Sequence, residues 1–299
     1  MDWTPGQMSS DVEDRRGESY GGGPGFSFGG GGIGVVGVVI LVVASLVTGH
    51  NYLGGVLSGG SQVQDSQGVQ QGQAGTAGAN PSQSAAEDRS AHLVSFVLDD
   101  AQKTWAQIFA AHNRPYRHAK LVLYRGATYS GCGTARSQTG PFYCPVDEKI
   151  YIDLNFWDEL RRLGGDSADF AQAYVVAHEL GHHIQKLLGI ESREQKLLQQ
   201  YPQEQSPLSV DLELQADCFA GIWAHSTEQR KMIDSADIGN ALRAASAVGD
   251  DHIQKMQGRA VEPDTFTHGS SAQREHWFQV GLQQGSVQAC STFNGQVSP

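Results

Sequence analysis

The chain has 299 residues and a formal net charge of −11, with only 18% of residues charged and 37 glycines. Residues 87–299 carry 19 Lys and Arg against 26 Asp and Glu, a balance of −7, and show no basic run, so nucleic acid is excluded as the expected partner. No phosphate-cradling glycine motif precedes a helix, and the length allows one sizeable domain or two small ones.

The first 87 residues do not read as a globular unit. Residues 1–32 are polar and glycine-rich, with too few apolar side chains for a core, and are expected to form a disordered cytoplasmic segment. Residues 33–48, IGVVGVVILVVASLVT, carry no charge, and with the flanking glycines the run approaches the roughly 20 residues that span a bilayer. A transmembrane helix over 33–49 is therefore expected. Arg15 and Arg16 precede it and no Lys or Arg follows until Arg89, which predicts a single-pass cell-membrane protein with a cytoplasmic N-terminus and an extracytoplasmic catalytic domain. Residues 50–87 read as a flexible Gly/Gln/Ser linker.

Beyond the linker, apolar residues at helical spacing predict a helix over 88–112, and AKLVLYRG (119–126) and KIYIDL (149–154) read as short strands. An edge strand there is suited to holding an extended peptide by backbone pairing. Cys132 and Cys144 bracket a Gly/Ser/Thr-rich loop and make one expected disulfide; Cys218 and Cys290 then pair by elimination, in an oxidising compartment.

The chemistry gathers in residues 167–188, which run without proline to Gly189 and place Phe170, Tyr174, Ala177, Leu180, Ile184 and Leu187 at three- and four-residue steps. His178 and His182 lie four apart on this helix, turned about 40° and displaced about 6 Å, so both imidazoles can meet one tetrahedral cation. Glu179 is offset from them, as suits a base acting on water. His183 is rotated about 100° from His182 and reads as structural. A second apolar helix is expected over 206–226, with Ser206 as N-cap and Pro207 first. On it Glu213 and Asp217 stand four apart: Glu213 is the expected third ligand, and Asp217 the acceptor of a ligating histidine's free ring N–H. Two more helices are expected over 235–256 and 270–285.

H-E-L-G-H at 178–182 followed by E-L-Q-A-D at 213–217 resembles the gluzincin metallopeptidases, in which the glutamate of E-x-x-x-D binds zinc. More narrowly, SGCGTARSQTGPFYCP (130–145), AYVVAHELGHHIQKLLGI (173–190), LELQADCFAGIW (212–223) and PDTFTHGSSAQREHWF (263–278) resemble the bacterial neutral zinc metallopeptidase family (YpfJ-like), over roughly residues 88–293. The resemblance implies a zincin-like catalytic domain, one Zn2+ per chain and a peptide or protein substrate. It also carries T-H-G and Arg at 267–274, where His268 suits a donor to the developing oxyanion and Arg274 a supporting role. The expected fold is thus mainly α with a small β-sheet (α+β). The expected function is that of a membrane-anchored zinc metalloendopeptidase, with an inactive envelope-tethered binding module that retains the metal site as the alternative.

Overall fold

A computed structural model describes residues 1–18 and 81–293. The expected transmembrane helix at 33–49 and most of the linker lie outside these residues. Among the described residues no helix is long and apolar enough to cross a membrane.

A four-stranded sheet runs β1 (Val12–Asp14), β2 (Lys120–Tyr124), β6 (Lys149–Asp153), β5 (Phe142–Cys144) in spatial order. The first three strands are parallel, and β5 pairs antiparallel to β6 at one edge. Both faces of the sheet are covered, which is why its two central strands read as apolar runs with little alternation. Leu121, Leu123, Ile150 and Ile152 belong to the main core, whereas Val122, Tyr124 and Tyr151 pack with Ala135 in a smaller one. Ala135 comes from β4 (Gly133–Arg136), which forms a hairpin with β3 (Ala127–Ser130). The disulfide Cys132–Cys144 joins the turn of that hairpin to β5, as expected.

The helices are α1 (Pro81–Ala111), α2 (Phe156–Arg162), α3 (Asp169–Leu188), α4 (Ile190–Gln200), α5 (Gln205–Gln229), α6 (Ser235–Ala247), α7 (Asp250–Met256) and α8 (Ser271–Gln284). The α+β class is as expected. α3 ends at Gly189 in the left-handed region, φ +75°, and packs against α1, α5 and α6. Close approach of α3 to α5 depends on Gly181, where a Cβ would lie 3.0 Å from the Ala216 carbonyl oxygen. α5 and α8 cross on Gly221 and Gly281, where any Cβ would strike backbone of the other helix. The second disulfide, Cys218–Cys290, ties the chain after α8 to α5.

Several boundaries differ from expectation. α1 begins seven residues inside the supposed linker. α5 begins at Gln205 after a 3-10 turn, so Ser206 is not its N-cap; Pro207 still sits in the first turn, where backbone N–H groups lack helical acceptors. The single helix expected over 235–256 breaks at Val248–Gly249, because Gly249 abuts the backbone of Ser271, and a side chain there would collide with it.

The largest correction concerns residues 1–18, which are built into the catalytic domain. Val12, Glu13 and Asp14 pair with Leu121, Val122 and Leu123. The N-terminal ammonium meets Asp237, and the Trp3 indole N–H donates to Asp169 at 2.6 Å, in the first turn of α3. Arg89 grips the same carboxylate at 2.6 and 2.7 Å and covers the Trp3 ring. Arg15 and Arg16, the basis of the expected orientation, are paired with Glu13 and with Asp14 and Asp88.

Strand pairing acts over hydrogen-bond distance, so β1 and β2 share one side of any bilayer. Deleting residues 2–18 is expected to cost on the order of 2 kcal/mol, seen as a melting point lower by about 4–8 °C, since Trp3, Met8 and Val12 pack on the core. An unchanged melting point would mean that the segment contributes nothing. With Ser10→Cys and Lys103→Cys, both exposed, an impermeant thiol reagent is expected to label both sites or neither in intact cells.

Candidate metal centre

On α3 the 3.6-residue turn stacks His178 over His182, with ring centroids 5.0 Å apart and planes at 90°. α5 brings Glu213 against both. His178 Nε2 lies 3.1 Å from Glu213 Oε2, and His182 Nε2 lies 3.4 Å from Glu213 Oε1. The three donor atoms lie within 4.8 Å of one another.

The outer nitrogens are committed elsewhere. His178 Nδ1–H donates to Asp217 Oδ1 at 2.8 Å and His182 Nδ1–H to Gln185 Oε1 at 2.9 Å, which leaves both Nε2 lone pairs facing a carboxylate. Lone pairs opposed to carboxylate oxygens at these distances repel unless a cation lies between them. Donors about 2.0–2.2 Å from a tetrahedral zinc are about 3.3–3.5 Å apart, and the two His–Glu separations of 3.1 and 3.4 Å are close to that spacing.

The electrostatics agree. Burial pushes the His178 pKa down, but the Asp217 carboxylate and then Glu213 outweigh it and carry the group up to about 10. Burial likewise disfavours charge on His182, and Glu213 reverses the direction. Glu213 is itself held well below the usual carboxylate range: burial raises it, and His182 and His178 more than compensate. The pocket is therefore made for positive charge, which a metal supplies more tightly than protons do.

Glu179 is 7% exposed, and among the described residues its carboxylate has no hydrogen-bond partner. Burial drives its pKa up against the pull of His178 and His182. Its carboxylate lines a cavity of about 760 Å³ together with His178, His182, Glu213 and His268. His268 lies in the loop before α8, whose N-cap is Ser270. Asp250, at the start of α7, accepts backbone N–H groups from Thr267, His268 and Gly269 at 2.7, 2.6 and 3.0 Å and faces His268 Nδ1 at 3.4 Å, so His268 Nε2 is left for the cavity.

Compared with known proteins, residues 1–293 match the family described as "Putative neutral zinc metallopeptidase". The chain belongs to that family. It is 44% identical to the uncharacterized protein YpfJ of Escherichia coli K12 over 301 residues, covering 99% of this chain and all of that one. An uncharacterized protein of Mycobacterium bovis is 42% identical over 201 residues, 64% of this chain and 66% of its own. No solved structure matches. The family match begins at residue 1, in keeping with the docking of residues 1–18.

Within this family member the structure brings His178, Glu179, His182, Glu213, Asp217, His268 and Arg274 to one place. Asp217, fully buried, serves His178 and not His182; it also accepts Arg274 Nε at 2.8 Å, Arg274 Nη2 at 3.0 Å and the Tyr174 hydroxyl. Arg274 thus spends its fork on Asp217 and is a positioning residue. His183 is structural, as expected: its Nε2–H donates to the Arg117 carbonyl at 2.7 Å, and it accepts from the Tyr143 hydroxyl at 2.9 Å.

Sequence reading missed Gln185, Gln215 and Asp250. Gln185 orients His182 while its amide donates to Leu212 O at 2.7 Å and to Gln215 Oε1 at 3.1 Å; Gln215 in turn donates to Cys290 O at 2.9 Å. The available signal was a pair of amides on helix faces otherwise apolar. Loss of a partner that fixes a ligand tautomer costs about 10- to 100-fold in metal affinity, so Gln185→Leu and Asp217→Asn are each expected to weaken zinc by that factor. Titration against a competing chelator measures it, and unchanged affinity would remove either residue from this role.

Proposed function

We propose that this protein is a zinc-dependent endopeptidase in which Glu179 is the general base. The observation that carries the reading is a buried carboxylate without a hydrogen-bond partner, facing the cavity beside a three-donor metal group. A merely structural metal site has no use for that carboxylate, and for this reason the reading as an inactive binding module is disfavoured.

Zinc held by His178, His182 and Glu213 would supply Lewis acidity to the attacking water and to the scissile carbonyl. Glu179 takes the proton from the water and delivers it to the leaving amine. His268 Nε2–H donates to the oxygen on which negative charge develops; Thr267 Oγ1 at 3.0 Å and Asp250 Oδ1 at 3.4 Å from Nδ1 hold the ring in that orientation. Burial disfavours charge on His268, and the Asp250 carboxylate and Glu213 outweigh it and favour the doubly protonated donor. β5 is the free edge of the sheet on this side, and Phe142 and Tyr143 of β5 line the cavity, so an extended peptide can add to it by backbone pairing.

The two disulfides support work in an oxidising compartment. Contact with a membrane through residues 33–49 rests on the composition of that run. It fits the fold only with residues 1–18 and the catalytic domain on one side.

The test is metal content of the full chain combined with cleavage of an unbiased peptide library: one zinc per chain and chelator-sensitive cleavage are expected. His268→Ala is expected to lower kcat about 10²- to 10³-fold with zinc content and KM nearly unchanged. Normal turnover with a lower melting point would assign His268 to the fold alone.

A further inference from the structure

The wall of the cavity beyond His182 is α4, and the residues it presents there are Glu191, Glu194, Gln195 and Leu198, a single stripe at helical spacing. Two of the four are acids. Glu194 is only 9% exposed, and among the described residues neither its carboxylate nor that of Glu191 has a hydrogen bond or an ion pair. Lys186, in the last turn of α3, is bound to Glu148 at 3.0 Å and to the Pro145 carbonyl. Arg193 turns its guanidinium to the carbonyls of Leu188 and Gly189.

Burying a carboxylate without a partner is costly, and natural chains keep such groups mainly where a ligand completes them. Burial and then Glu191 push Glu194 up to about 7, and burial raises Glu191 against the pull of His182 and Lys186. Among the described residues the one group of three or more donors close enough to share an ion is His178, His182 and Glu213, and Glu191 and Glu194 are not part of it. A cation that pairs with them has to bring its own hydrogen-bond donors and fit a cleft lined also by Phe142, Phe156 and Leu198. An ammonium or guanidinium on a methylene stem has this chemistry, with apolar surface for the stem and carboxylates for the head.

We propose that Glu191 and Glu194 form a subsite for a Lys or Arg side chain of the peptide substrate, next to the scissile bond on the α4 side of the cavity. The inference rests on the peptidase reading for its substrate, but it is tested by binding. The full chain carrying Glu179→Gln and loaded with zinc is titrated with fluorescein-labelled Ala/Gly octapeptides in which one Lys, Arg, Gln or norleucine is walked through the positions. At one position or two adjacent ones, Lys and Arg are expected to bind about 10- to 100-fold tighter than Gln or norleucine, the size of a charged hydrogen bond. Glu191→Gln with Glu194→Gln is expected to reduce that ratio to within about twofold and to leave the neutral peptides unchanged. These substitutions are isosteric and relieve buried charge, so an undiminished melting point shows that the fold is intact. Equal affinity for basic and neutral peptides, or a preference that survives the double substitution, overturns the subsite. Basic preference in a parent protein that cleaves no peptide would keep the subsite and sink the peptidase reading; cleavage without basic preference does the reverse.

Discussion

Replacing Glu179 by Gln is expected to lower peptide turnover about 10²- to 10⁴-fold while one zinc stays bound, the range that a positioned general base contributes. The three donor atoms are untouched by the substitution, and the amide has nearly the shape of the carboxylate, so neither metal content nor fold should change. What is lost is the only group at the cavity wall that combines an unshared carboxylate, 7% exposure and a position between the two histidines in sequence. Metal content by atomic absorption and kcat on a peptide found by library screening are the two measurements. His182→Ala and Glu213→Ala give the contrast, because each removes a donor and should lose zinc and turnover together. A Glu179→Gln protein that cleaves at the parental rate would remove Glu179 from the mechanism, whatever its metal content.

Arg274→Met is expected to cost about 3–5 kcal/mol of stability, the usual price of leaving one member of a buried ion pair alone. Asp217 is fully buried, and Arg274, at 3% exposure, supplies two of its hydrogen bonds. Burial pushes the Asp217 pKa up; Arg274 and His178 more than offset this, so it stays ionised in the native protein. Without the guanidinium, that charge remains in a dry interface between α3, α5 and α8 with only Tyr174 and His178 to share it. Denaturant midpoints of the metal-free proteins would show the loss. Adding Asp217→Asn to Arg274→Met should recover part of it, since the uncompensated charge is then gone. If the double variant is less stable than the parent by the full sum of the two single effects, the two residues act independently and the buried pair is not what holds this interface.

The metal centre was legible because its central fact is local. His178 and His182 lie four apart on one helix, and helix geometry alone puts them on one face, whatever packs around them. Glu213 and Asp217 were legible for the same reason, as a second pair at the same spacing, and the loop bracketed by Cys132 and Cys144 announced its own disulfide. The helix expected over 270–285 from the spacing of its apolar residues is present over 271–284. In each case the signal sits within one turn or one short loop, where covalent geometry leaves few alternatives.

What the tertiary structure decided is which distant groups complete these local ones. Spacing said that Asp217 would hold a histidine but not which; the placement of α5 against α3, set by Gly181 beside Ala216, assigns it to His178 and leaves His182 to Gln185. Asp250 reaches the loop at 267–269 only because Gly249 brings α7 close to α8, and no periodicity encodes a contact across that many residues. Residues 1–18 misled the sequence reading most, since a three-residue strand has no pattern of its own and is made by the edge of β2 that it covers. Local spacing is dictated by the helix itself. Partnership between segments is dictated by packing, and it exists only once the chain has folded.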